Sequence, residues 1–98
     1  MQVSKKLYID HDVKYPKWII WKLRKNKKVK NIYCIVMIDK NNYFLEIIKA
    51  NKLTSKYDKN TLIGIATTRK NAFLLLTRIF DEIYAPNPNV DHMKAYFK

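Results

Sequence analysis

Four short apolar segments of the chain have the pattern of β-strands. Leu7–Ile9 alternates between apolar and polar neighbours, as a half-buried strand does. Ile32–Ile38 is an uninterrupted and largely β-branched apolar run, which predicts a central strand covered on both faces. Turn-forming residues 39–42 lead into Tyr43–Lys49, so these two segments are expected to form an antiparallel hairpin. A fourth strand is predicted at Leu62–Ala66, where Gly64, the only glycine, indicates close packing over the backbone.

Two longer segments have the pattern of helices. Pro16 suits the first turn of a helix that continues to Lys25, because proline lacks the amide that would be unpaired there. A second helix is predicted from about Arg69 to Tyr84, with Thr67 or Thr68 as its cap. Its apolar residues repeat with helical spacing, and Leu74 lies outside the apolar face. That face is formed by Ala72, Leu75, Leu76, Ile79 and Ile83.

The order β-α-β-β-β-α with one clear hairpin predicts an α+β fold. We expect a two-layer sandwich, in which a mixed or antiparallel sheet of about four strands carries two helices on one face. Residues 1–98 are expected to form a single basic domain, and the apolar spacing of 90–97 predicts that this tail docks on it.

Composition indicates whether the chain folds and in which compartment it is expected. The chain is 48% apolar and 13% aromatic, which favours a packed globule over disorder. Its one cysteine, Cys34, excludes an internal disulfide and points to a reducing compartment. The sequence contains neither a signal-peptide pattern nor an apolar run long enough to span a membrane. We therefore expect a cytoplasmic protein without membrane contact, and its oligomeric state stays open.

The positive charge of the chain is concentrated in one segment. Of a net charge of +12, eight basic residues and no acidic residue lie between Val13 and Ile38. A basic patch of this kind attracts phosphate backbones, acidic protein surfaces or anionic lipid. An AT-rich genome also raises the lysine content of its proteins, but that bias does not explain the clustering.

The first helix combines this charge with aromatic rings. On a helical wheel Trp18 and Trp21 lie opposite Ile19 and Leu23, on the arc that carries the lysines. We call this arc the basic aromatic face, and it consists of Lys14, Lys17, Trp18, Trp21, Lys22 and Lys25. Rings and cations together are typical of surfaces that bind single-stranded nucleic acid or an acidic protein. Alternatively, one or both indoles pack under the tail or across the sheet edge, with lysine stems covering them. The leading prediction is a non-enzymatic binding module that uses this face, with nucleic acid or an acidic protein as partner.

A weaker candidate site lies where the fourth strand enters the second helix. Basic residues in the first turn of a helix are repelled by the partial positive charge of the helix dipole at that end. A bound anion would offset this repulsion. The candidate anion-binding residues are Thr67, Thr68, Arg69 and Lys70. The glycine-rich loop of nucleotide-binding proteins is absent. The alternative interpretation is that the basic side chains of this turn are solvated and bind no anion.

The segment Leu7–Asp12 resembles the first motif of haloacid-dehalogenase-type phosphatases, in which two aspartates one residue apart follow a strand. The resemblance implies that Asp10 attacks phosphorus, that Asp12 handles protons, and that Thr67 stands at another strand end. Val13 departs from the motif, and no later acidic pair completes a magnesium site. The alternative function is therefore a phosphate-handling enzyme or anion sensor built on Asp10, Asp12, Thr67 and Arg69.

No metal or cofactor is predicted. The possible ligands include two histidines and one cysteine, but no pair has the spacing of a metal site. These possible ligands are Asp10, His11, Asp12, Cys34, Asp91 and His92.

Several segments together carry a resemblance that covers nearly the whole chain. They are the strand from Ile32, the segment 41–48, the strand Ile63–Ala66 with its helix, and the closing segment Val90–Phe97. They resemble short hypothetical proteins of low-GC Gram-positive bacteria and their mobile elements, which have no assigned activity. The resemblance implies a bacterial or mobile-element setting and identifies no site.

Overall fold

The computed structural model describes residues 1–38 and 45–98, which include a four-stranded mixed sheet. Its strands are β1 (Gln2–Ile9), β2 (Tyr33–Met37), β3 (Leu45–Lys49) and β4 (Thr61–Ala66), in the spatial order β1-β4-β2-β3. β1 runs parallel to β4, whereas β2 is antiparallel to both β3 and β4. The predicted pairing of β2 with β3 is confirmed. The predicted turn at 39–42 and the first residues of the predicted third strand, 43 and 44, lie outside the described residues.

The described residues also contain three α-helices. They are α1 (Pro16–Arg24), α2 (Arg69–Ile79) and α3 (Val90–Phe97). α2 continues as one turn of π-helix, in which the amide of Ala85 donates to the carbonyl of Phe80 at 2.8 Å. α3 confirms that the tail is ordered and docked, because Met93 and Phe97 are completely buried. The predicted α+β class and element order are thus confirmed, with α3 added at the end.

Helices cover both faces of the sheet. Successive residues of β2 point to opposite faces. Ile35 and Met37 pack with α2 and α3, whereas Cys34 and Val36 belong to the cluster that includes α1. Two helices do share one face, but they are α2 and α3, and α1 lies on the other. The physical reason is that β2 and β4 are apolar on both sides, so neither face can be left to water.

The packing of α2 agrees with its sequence period. Its face packs on the sheet with Ala72 and Ile79 fully buried, whereas Leu74 is 57% exposed. Gly64 in β4 lies beneath this helix. A Cβ atom on Gly64 would come within 3.0 Å of the Ile35 side chain and 3.3 Å of Leu75, so the predicted close approach is confirmed.

Across residues 1–38 and 45–98, no helix combines the length and the apolar character needed to cross a lipid bilayer.

Candidate functional site: the basic aromatic face and a cationic groove

Backbone geometry determines where α1 begins and ends. Tyr15 takes the left-handed conformation (φ 54°) just before Pro16, which occupies the first turn as predicted. At the other end Asn26 is also left-handed (φ 56°). The amide of Lys27 donates to the carbonyl of Lys22 at 2.9 Å, and that of Asn26 to Leu23 at 3.1 Å, which is the Schellman pattern. The chain therefore folds back over the last turn of α1.

The two tryptophans of α1 lie on the surface. Trp18 is 56% exposed and Trp21 is 42% exposed, while Ile19 and Leu23 are buried on the opposite side of the helix. The indole rings stack on each other, with centroids 5.3 Å apart and planes 13° from parallel. The predicted orientation of α1 is therefore confirmed, and the interpretation that buries the indoles is wrong.

Lysine ammonium groups lie against both rings. Lys22 Nζ is 5.1 Å from the centroid of Trp18, and Lys27 Nζ is 4.8 Å from that of Trp21, which are cation–π distances. Lys14, Lys17 and Lys25 are exposed. No lysine of this face forms an ion pair with a carboxylate among residues 1–38 and 45–98. The face therefore offers stacked rings among cations that no described carboxylate neutralises.

Lys27 is a member of this face that the helical wheel missed. The predicted helix ends at Lys25, so its wheel does not include Lys27, whereas the left-handed Asn26 turns Lys27 back over Trp21. The signal for this was present in the sequence, because asparagine is the residue other than glycine that most readily ends a helix in this way.

A groove of about 460 Å³ opens at the edge of the sheet where three strand ends meet. Tyr33, the first residue of β2, pairs with Lys49 at the end of β3 and with Ala66 at the end of β4. The amide of Ala50 also donates to the carbonyl of Ile32 at 2.9 Å, which holds the end of β3 beside the start of β2. The polar groups that line the groove are Lys30, Asn31, Tyr33, Lys49, Asn51, Thr67, Thr68 and Arg69.

Three of the four predicted anion-binding residues line this groove. Thr67, Thr68 and Arg69 do so, whereas Lys70 does not. Lys30 and Lys49 complete the cationic lining. Sequence reasoning missed these two because they approach from other parts of the chain, although the predicted hairpin already placed Lys49 opposite the start of β2.

The aspartates of the phosphatase-like segment lie in a separate cluster. The Asn71 side-chain amide donates to Asp10 Oδ2 and to Asp12 Oδ2, each at 3.1 Å. His11 lies between them, with Nδ1 3.4 Å from Asp10 and Nε2 3.3 Å from Asp12. Neither aspartate lines the groove of Thr67 and Arg69. The structure thus does not gather the four residues of the alternative hypothesis around that groove.

The remaining candidate ligands are Cys34, Asp91 and His92. In the described part of the chain, no three histidine, cysteine, aspartate or glutamate side chains are placed to hold a metal ion. Cys34 is fully buried in β2, and burial raises the pKa of its thiol to about 12. A thiol in this environment stays protonated and is a poor nucleophile or ligand.

Comparison of the chain with protein-family models, with curated proteins and with solved structures found no significant match.

Proposed function

We propose that this chain is a non-enzymatic binding module that holds single-stranded nucleic acid on the basic aromatic face of α1. The observation that carries the proposal is the pair of exposed, mutually stacked indoles of Trp18 and Trp21 with lysines around them. Large apolar rings left in water are unfavourable, and an unpaired base can cover an indole while adjacent phosphates meet the lysines.

The geometry favours nucleic acid over an acidic protein for two reasons. The rings form a flat stack, which a planar base extends when the ammonium group of Lys22 or Lys27 moves from the ring to a phosphate. Protein hot spots instead insert separate aromatic anchors into pockets. The lysines also recur along the helix and into the following turn, as a repeated phosphate backbone requires. An acidic protein surface is the second partner class, and the experiment below includes a probe for it.

The alternative enzyme hypothesis receives less support. A carboxylate nucleophile in phosphoryl transfer needs a metal and access to the phosphate. Asp10 and Asp12 instead accept hydrogen bonds from Asn71, away from the lining of the cationic groove.

The proposed location is the cytoplasm. It is supported by the free thiol of buried Cys34, which is typical of proteins in a reducing compartment.

The proposal predicts how affinity depends on salt and on Trp18. Fluorescent single-stranded and duplex oligonucleotides, and a polyglutamate peptide, are titrated at several NaCl concentrations. For single strands the logarithm of affinity should fall by about 0.7 per phosphate contact for each unit of log salt. Lys22→Glu/Lys25→Glu should flatten this slope. Trp18→Ala should weaken single-stranded binding by about 1 to 3 kcal/mol and leave duplex binding nearly unchanged.

Two matched control variants distinguish binding at the basic aromatic face from nonspecific attraction of nucleic acid to a basic protein. Phe73→Ala removes another exposed ring, on α2, and should bind like wild type. Lys5→Glu/Lys98→Glu makes the same change in net charge elsewhere and should retain the steeper slope. Binding no tighter than millimolar at low salt, or equal losses in Trp18→Ala and Phe73→Ala, would contradict the proposal. Tight binding of polyglutamate that depends on Trp18 would assign an acidic protein instead.

A further inference from the structure

The cationic groove holds positive charges that its own lining does not neutralise. Lys30, Lys49 and Arg69 reach it from the turn before β2, the end of β3 and the start of α2. No aspartate or glutamate lines it, and none of the three cations forms an ion pair with a carboxylate in residues 1–38 and 45–98. Three like charges around one groove repel one another, and a bound anion would turn that repulsion into attraction.

The groove includes the start of α2 but is not defined by it alone. Thr68 Oγ1 already accepts the amide of Asn71 at 3.0 Å, so the ordinary helix cap is present without a ligand. Lys70, in the same first turn as Arg69, does not line the groove. The convergence of three chain segments, rather than the helix terminus, therefore defines the site.

The other lining groups restrict the chemistry of the anion. The ring of Tyr33 lies beside Lys49, whose Nζ is 5.8 Å from the ring centroid. Asn31 and Asn51 supply amide donors and acceptors. The volume of about 460 Å³ is within the range of sites that take small organic ligands. Cations, a ring and amides in one groove of this size match a phosphate joined to an aromatic base.

We propose that this groove binds a nucleoside phosphate, with Lys30, Lys49 and Arg69 on the phosphate and Tyr33 beside the base. The ligand is either a free nucleotide or the phosphorylated end of a strand. This site is distinct from the basic aromatic face of α1, and the inference does not require the function proposed for that face.

Isothermal titration calorimetry with ADP, and with a short oligonucleotide carrying or lacking a 5′-phosphate, tests the assignment. Arg69→Gln and Lys49→Gln should each lower the affinity for ADP, or for the 5′-phosphorylated oligonucleotide if that is the ligand, about tenfold or more. This is the effect expected for loss of a charged hydrogen bond. Lys70→Gln is the matched control, since it removes the same charge one residue away, and it should bind like wild type. Circular dichroism spectra of all variants confirm that each is folded.

The outcomes separate the two ligand sources and the two sites. ADP binding that Arg69→Gln abolishes assigns a free nucleotide. Dependence on Arg69 only for the 5′-phosphorylated strand assigns a strand end. Equal losses in Arg69→Gln and Lys70→Gln, or no binding of either phosphorylated probe, would overturn the proposal. Trp18→Ala should leave ADP binding unchanged, so failure at α1 and failure at the groove give different results.

Discussion

At the scale of single residues, the environment of Tyr8 links β1 to the end of α2. Its hydroxyl donates to Glu82 Oε1 at 3.1 Å, and Arg78 lies over its ring at 5.2 Å. Burial, then the hydrogen bond to Glu82 and the negative charge of that residue, raise the pKa of Tyr8 to about 12. Tyr8 therefore keeps its proton longer in the folded protein than in the unfolded chain.

This difference predicts a loss of stability at alkaline pH. Below pH 10 the contribution of Tyr8 is complete, and it is lost between pH 10 and 12 because the unfolded chain releases the proton first. Tyr8→Phe keeps the ring and should have a shallower decline over this range in urea unfolding followed by circular dichroism. At neutral pH it should cost at most about 1 kcal/mol.

Tyr15→Phe is the control for this measurement, because the side chain of Tyr15 is 79% exposed. It should follow the wild-type curve across the whole pH range. Parallel curves for Tyr8→Phe and wild type above pH 10 would mean that the Tyr8 hydroxyl does not contribute to alkaline stability.

At the scale of elements, α1 and α2 use their amphipathic character differently. α2 buries its apolar face on the sheet and leaves Phe73 and Leu74 in water. α1 buries only Ile19 and Leu23 and keeps its largest rings outside. Both helices thus leave aromatic rings in water, and those of α1 lie under lysine ammonium groups.

The contrast predicts unequal effects of truncation within α2. Ile79→Ala empties a fully buried site and should reduce the free energy of unfolding by about 2 to 5 kcal/mol. Leu74→Ala removes a side chain that is mostly in water and should cost much less. Urea unfolding followed by tryptophan fluorescence measures both. Similar losses at the two positions would contradict the observed packing of α2.

At the scale of the whole molecule, charge is poorly balanced. The chain has 20 basic and 8 acidic residues. Arg78 forms an ion pair with Glu82, but 8 acidic residues cannot neutralise 20 basic ones. The folded state therefore carries net repulsion, which is the cost of holding many cations on one small surface.

Salt should accordingly stabilise the fold. Raising NaCl from about 0.05 M to about 0.5 M shortens the screening distance and should raise the melting temperature measured by circular dichroism. Lys22→Gln/Lys25→Gln removes part of the repulsion and should gain less from the same addition. A melting temperature that falls with NaCl would show that attraction between charges, rather than repulsion, dominates in the folded state.

The sequence by itself determined most of the elements and the buried faces of α1 and α2. The spacing of Ala72 and Ile79 identified the buried side of α2, and the wheel of α1 placed Trp18 and Trp21 in water. Gly64 marked the close packing between α2 and the sheet. These features follow from the helical repeat of 3.6 residues and the strand repeat of two, which are properties of a few neighbouring residues.

The tertiary structure alone decided which elements meet. The parallel pairing of β1 with β4, the place of α1 opposite α2, and the bridge from Asn71 to Asp10 all join residues far apart in the chain. The cationic groove likewise needs Lys30, Lys49 and Arg69 to converge. Periodicity carries no information on such pairings, because they depend on which set of long-range contacts buries the most apolar surface from the whole chain.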